Sequence, residues 1–211
     1  MTRIKICGNA DPDGVRLAVA LGADLLGFIF TRSPRRVSVE QARALLADVP
    51  EGIARVGVFI DEAPDVIAPI IEACELTAVQ LYRQPTPADR ALGVQLLPAV
   101  QIRNAEQASR LQFHADDRPL LDTWKEEAVG GTGRTWDWTL GESLARRHPV
   151  IVSGGLRPEN VGAAIRHLRP WGVDVSSGVE VAPGIKDLAR LEWFVRVVRE
   201  ADAGMKKRVA G

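Results

Sequence analysis

RIKICGNADPDGVRLAVALGADLLGFIF, residues 3–30, holds two short apolar runs around one amphipathic stretch. Arg3–Cys7 and Leu25–Phe30 have the length and branched, aromatic content of buried strands. Gly14–Leu21 between them has helical spacing. The connection is far too long for a hairpin, so the two strands run parallel with a crossover helix. The unit then recurs. Further strands are expected at Ala54–Ile60, Ala78–Leu81, Gln95–Val100, Leu120–Asp122, Val150–Ser153 and Gly172–Val175. Helices are expected at Val39–Ala47, Pro64–Cys74, Pro87–Leu92, Ala105–Leu111, Leu140–Arg147, Pro158–Leu168 and Leu188–Ala201. Pro64, Pro87 and Pro158 stand where a first-turn proline is tolerated.

Strict alternation of strand and helix gives a parallel sheet, and eight units give a closed (β/α)8 TIM barrel. The rival is an open doubly wound sheet. The first strand is not followed by the GxGxxG turn of its dinucleotide-binding form. At 211 residues the whole chain, 1–211, makes one domain, and residues 204–211, small or basic, are expected to fray.

Lysine plus arginine and aspartate plus glutamate number 27 each, so no global field recruits nucleic acid or an anionic membrane. No apolar stretch approaches the roughly 20 residues that cross a bilayer. Cys7 and Cys74, the only two cysteines, give no disulfide framework, which suits a cytoplasmic setting. Monomer and homodimer are both open.

Barrel chemistry sits at the C-terminal ends of the strands. In the first strand, alternation turns Ile4 and Ile6 toward the helices and Lys5 and Cys7 toward the interior. Cys7 then lies at the rim, as a small buried hydrophobe or, with Lys5 near, as a base. Cys74, late in a helix, reads as packing. The second strand leads into Arg32, Arg35 and Arg36, a solvated basic loop or a clamp for a carboxylate or phosphate.

Asp122 closes the sixth strand, as a general acid or base or as a turn-forming cap. The long segment Thr123–Asp137 after it contains GGTGRT at 130–135 and suits a lid, an anion-binding loop or a plain flexible one. The seventh and eighth strands end in Ser153-Gly154-Gly155 and Asp174-Val175-Ser176-Ser177-Gly178. Small residues in these two loops leave backbone N–H groups open to a phosphate; tight turns are the plainer alternative. Asp174 points inward beside Lys5 once the barrel closes. None of His114, His148 and His167 falls at a strand end, and no cluster has metal-ligand spacing. No metal or cofactor is expected. For proton transfer, Cys7 and Asp122 are the available pair.

KICG at 5–8, GFIF at 27–30, RSPRRV at 32–37, VGVF at 56–59, VQL at 79–81 and LLDT at 120–123 stand in one order. They continue with GGTGRTWDW at 130–138, SGGLRPENV at 153–161, VDVSSGVE at 173–180 and PGIKD at 183–187. Together these motifs resemble the phosphoribosylanthranilate isomerase family over nearly the whole chain. The resemblance implies an Amadori rearrangement in tryptophan biosynthesis, acting on a small phosphorylated substrate. It implies Asp122 as acid and Cys7 as base. It puts the anthranilate carboxylate on Arg35, with Arg36 a neighbouring possibility, and the phosphate near Gly154, Gly155, Ser177 and Gly178. Asp174 matches a rim aspartate that contacts substrate.

Two stretches depart from the family pattern. Tyr82-Arg83 replaces the His-Gly that usually follows VQL, which is expected to alter contacts or rate but not the chemistry. Asn9-Ala10-Asp11-Pro12 replaces the common Ile-Thr beside Cys7. A related isomerase of histidine biosynthesis would carry a carboxylate where Cys7 stands. A non-catalytic phosphate-binding descendant would not need Cys7, Asp122 and Arg35 together. A thiol redox sensor would need a resolving partner for Cys7.

Overall fold

A computed structural model describes residues 1–123 and 137–209. The eight expected units follow one another as β1 (Arg3–Cys7), α1 (Pro12–Ala20), β2 (Leu25–Ile29), α2 (Val39–Leu46), β3 (Ala54–Phe59), α3 (Pro64–Cys74), β4 (Ala78–Leu81) and α4 (Pro87–Arg90). They continue as β5 (Gln95–Ile102), α5 (Ala105–Arg110), β6 (Leu120–Thr123), α6 (Glu142–Arg147), β7 (Ile151–Val152), α7 (Pro158–Leu168) and β8 (Gly172–Val175). A short hairpin, β9 (Glu180–Ala182) and β10 (Ile185–Lys186), precedes the last helix, α8 (Leu188–Val209).

Strands β1 to β8 pair in sequence order and close into a barrel, with β8 parallel to β1. Side-chain alternation makes two apolar layers. Ile4, Ile6, Leu26, Phe28, Val173 and Val175 point outward and are buried in the core under the helices. Fully burying a side chain of this size contributes about 1.5–3 kcal/mol. Leu25, Val56, Ala78, Leu97, Leu120 and Ile151 fill the lower interior. Further up the same inward faces the residues turn polar: Lys5, Gln80, Asp122, Ser153 and Asp174 are all buried. The interior is therefore dry and packed at one end and polar at the other, and the polar end is where a site can form. At the dry end, Thr2 ties the chain start to α8, its backbone N–H and hydroxyl donating to Asp202 at 2.8 and 2.6 Å.

The departures from expectation are local. Helix α1 starts at Pro12, two residues before the expected Gly14, because the Asp11 carboxylate accepts from the backbone N–H groups of Asp13 and Gly14. The unusual Asn9-Ala10-Asp11-Pro12 is thus in part a helix start. Asn9 itself is buried and donates to the carbonyls of Ile6 and Gly27, holding the ends of β1 and β2 together. Helix α8 runs to Val209, past the expected Ala201, so residues 204–209 are helical. A 3-10 turn at Trp138–Gly141 leads into α6. The hairpin β9–β10 had no counterpart in the hydrophobic pattern, because its residues are few and partly exposed.

Candidate active site

At the polar end the strand tips enclose a cavity of 390 Å³. Its wall includes Cys7 from β1, Tyr82 after β4, Asp122 from β6, Ser153 after β7 and Asp174 from β8, with Arg35 from the loop after β2. All but Arg35, which lies midway along its loop, are delivered by strand alternation or by the first residue after a strand. The cavity is neither wholly apolar nor wholly charged, which suits a small polar substrate.

Below Cys7, the Lys5 ammonium is 1% exposed and meets the Asp174 carboxylate at 2.8 Å. Asp174 also accepts from the Ser153 hydroxyl at 2.8 Å. Burial pulls the Lys5 ammonium down, but Asp174 and Cys7 outweigh it and leave it above the ordinary lysine value. Lys5 therefore stays charged. Burial pushes the Cys7 thiol up, and the Lys5 charge opposes this without cancelling it. Space for this pair depends on Gly27. A Cβ there would stand 2.8 Å from the Cys7 sulfur and 3.2 Å from Lys5 Nζ.

A second ionic group lies over the Cys7 loop. Arg35 donates from Nε and Nη2 to the Glu180 carboxylate at 2.7–3.0 Å. Lys186 donates to Glu180 at 3.1 Å and to the Cys7 carbonyl at 2.6 Å. The hairpin β9–β10 thus pins both Cys7 and the arginine loop. Burial raises Glu180, but Arg35 and Lys186 outweigh it and hold its carboxyl below the usual range. Arg36 turns away, donating to the Phe30 carbonyl at 3.1 Å, and is absent from the cavity wall.

Across the cavity, Asp122 is 3% exposed and accepts from the Tyr82 hydroxyl at 3.1 Å. Gly154, Gly155 and Ser177 line the cavity from the loops after β7 and β8. Gly154 and Gly155 both have positive φ, 79° and 66°. Gly178 does not line the cavity; its place is between the two loops, where a Cβ would run into the Leu156 carbonyl oxygen. Asn160 braces the same turn by donating to the Gly155 carbonyl at 3.0 Å.

Comparison with known proteins gives the family. The family model for N-(5'-phosphoribosyl)anthranilate (PRA) isomerase matches residues 4–197. The chain belongs to the PRA isomerase family. The N-(5'-phosphoribosyl)anthranilate isomerase of Desulforudis audaxviator is 43% identical over 206 residues, spanning 95% of this chain and all of that protein. A phosphoribosyl anthranilate isomerase structure from Thermotoga maritima has TM-score 0.87 at 38% identity, over 95% of this chain and all of the other. Another, solved with reduced 1-(o-carboxyphenylamino)-1-deoxyribulose 5-phosphate, has TM-score 0.84 at 35% identity over the same shares.

Of the residues expected to form the site, Cys7, Asp122, Arg35, Asp174, Gly154, Gly155 and Ser177 meet in one cavity. Gly178 is next to it. Glu180 and Lys186 stood inside quoted motifs with no role attached. Arg35 and Glu180 lie 145 positions apart, so only folding reveals their pairing. Tyr82 was noted as a departure, but its contact with Asp122 was not. The segment GGTGRT, weighed as a lid or anion loop, lies outside the described residues. Among the described residues no group of His, Cys, Asp and Glu could hold a metal ion, and no helix is long and apolar enough to cross a membrane.

Proposed function

We infer that the protein isomerises N-(5'-phosphoribosyl)anthranilate to 1-(2-carboxyphenylamino)-1-deoxyribulose 5-phosphate, with Asp122 as the acid and Cys7 as the base. The observation that carries the assignment is the placement of these two groups in one cavity, on β6 and β1 of the same barrel. The Asp122 carboxyl gives its proton to the furanose ring oxygen. The bond from that oxygen to the first sugar carbon breaks, and the nitrogen lone pair forms the C=N of a Schiff base. Cys7, acting from its thiolate form, which the Lys5 charge favours against burial, then removes the proton from the second sugar carbon, whose electrons neutralise the iminium and give an enolamine. Tautomerisation of the enolamine, with a proton added at the first carbon, leaves the ketone. Each proton-transfer group supplies about 10²–10⁴-fold.

The other residues hold the substrate. Lys5 keeps a positive charge beside the thiolate as it forms. Arg35 takes the anthranilate carboxylate: it lines the cavity, and Glu180 braces its guanidinium through Nε and Nη2. Backbone groups near Gly154, Gly155 and Ser177 take the phosphate, and Gly178 lets the two phosphate loops approach. Asp174, lining the cavity, contacts the sugar end while it anchors Lys5. We place the reaction in the cytosol, where the two buried free thiols Cys7 and Cys74 stay reduced.

Generating phosphoribosylanthranilate in situ and following its consumption optically tests the assignment. Protein-dependent turnover to the carboxyphenylamino-deoxyribulose phosphate is expected. A folded protein that binds the phosphorylated product without any turnover would mark a binding role instead.

A further inference from the structure

Tyr82 follows β4 on the inward alternation already set by Ala78 and Gln80, so its ring enters the cavity. Arg83, next in the chain, points the other way. It forks onto the buried Asp89 carboxylate at 2.5 and 2.8 Å and donates to the Glu62 carbonyl at 3.1 Å. Asp89 is fully buried and also caps α4, accepting from Thr86. The strand end is therefore clamped from outside, and the phenol is presented inward with little freedom. Its hydroxyl meets Asp122 Oδ2 at 3.1 Å.

We propose that Tyr82 is a positioning residue for the isomerisation: its hydroxyl fixes the direction of the Asp122 carboxyl and stabilises the carboxylate left when the proton has gone to the ring oxygen. The phenol is suited to this. Burial first, then the neighbouring Asp122, Cys7 and Asp174, push its ionisation well above the ordinary tyrosine range, so it remains a neutral O–H donor wherever the enzyme works. A neutral donor favours the charged form of its acceptor. That help is worth more after proton transfer than before it, which is the condition for raising a rate and not merely tightening binding. The Tyr82-Arg83 pair is then one device: Arg83 anchors the strand end and Tyr82 uses the anchorage.

The inference rests on Asp122 being the acid, so the test separates the two. Asp122→Asn and Tyr82→Phe are compared with wild type for kcat and KM, and the Asp122 carboxyl is titrated by carbon-13 NMR of aspartate-labelled protein. Asp122→Asn identifies the resonance. Tyr82→Phe removes one oxygen and is expected to lower kcat about twofold to tenfold, the span of a single neutral hydrogen bond, with KM within about twofold. The Asp122 midpoint should move up, because the carboxylate has lost a donor. If Tyr82→Phe keeps wild-type kcat and an unmoved midpoint while Asp122→Asn is inactive, Tyr82 has no positioning role. A change in KM alone would equally overturn it. Full turnover by Asp122→Asn would remove the acid assignment beneath it.

Discussion

The two walls of the cavity are built differently. On the wall of β8, β1 and the β9–β10 hairpin, Lys5 pairs with Asp174, and Lys186 and Arg35 converge on Glu180. Fixed charges surround the thiol there, and most are nearly dry. On the opposite wall the contact reaching Asp122 from β4 is a neutral hydroxyl, while the ionic pair Arg83–Asp89 is kept outside the cavity. On the assignment proposed for the reaction, Cys7, the base, lies among permanent charges, and Asp122, the acid, receives a neutral donor from β4. Buried ion pairs are costly to desolvate and are strongly disruptive when one partner is removed, so the two walls should respond unequally to substitution.

The largest effect should come from Lys5→Met. It leaves Asp174 buried without its cation and should cost about 3–5 kcal/mol in a denaturant titration. It should also raise the Cys7 thiol further, measured by thiolate absorbance, since the opposing charge is gone. Because the folded Lys5 lies above its ordinary value, its contribution is complete below pH about 10.4 and is lost as pH climbs through the raised value. A loss under about 1 kcal/mol at neutral pH, the range of exposed ion pairs, would mean the charged wall is not structural.

Arg35→Ala should raise KM about tenfold to a hundredfold, the range for charge-assisted hydrogen bonds, while Arg36→Ala should leave KM nearly unchanged. Equal effects from both would erase the distinction between the cavity-lining arginine and the one bound to Phe30. Behind the wall of β4, outside the cavity, the Asp89 carboxyl is held down to about 2, with burial outweighed by Arg83 and Thr86. Asp89→Asn should therefore cost about 2 kcal/mol above pH about 4, and its gap to wild type should close as pH falls through about 2. A gap that persists in acid would mean Asp89 acts through packing instead of charge.

The same contrast decides what the sequence could disclose. Strand alternation is local, so the inward placement of Lys5, Cys7, Asp122 and Asp174 follows from the chain itself, and closure between β1 and β8 then forces the Lys5–Asp174 pair. The small residues after the last two strands were legible as rim loops, and Gly154, Gly155 and Ser177 from them line the cavity. Glu180 and Lys186 were not legible, because their roles depend on a hairpin of only five strand residues and on partners at Arg35 and Cys7. The Tyr82–Asp122 contact joins strands that are not neighbours in the sheet, so no register argument reaches it. Asn9-Ala10-Asp11-Pro12 read as a change beside Cys7; folded, it is a strand clasp and a helix cap.

The most direct test is turnover of phosphoribosylanthranilate by wild type, Cys7→Ala, Asp122→Asn and the double variant, with folding verified for each. An acid and a base serving one reaction predict losses of about 10²–10⁴-fold in each single variant and little further loss in the double one. If either single variant stays within about tenfold of wild type, the division of the cavity into a base wall and an acid wall is wrong.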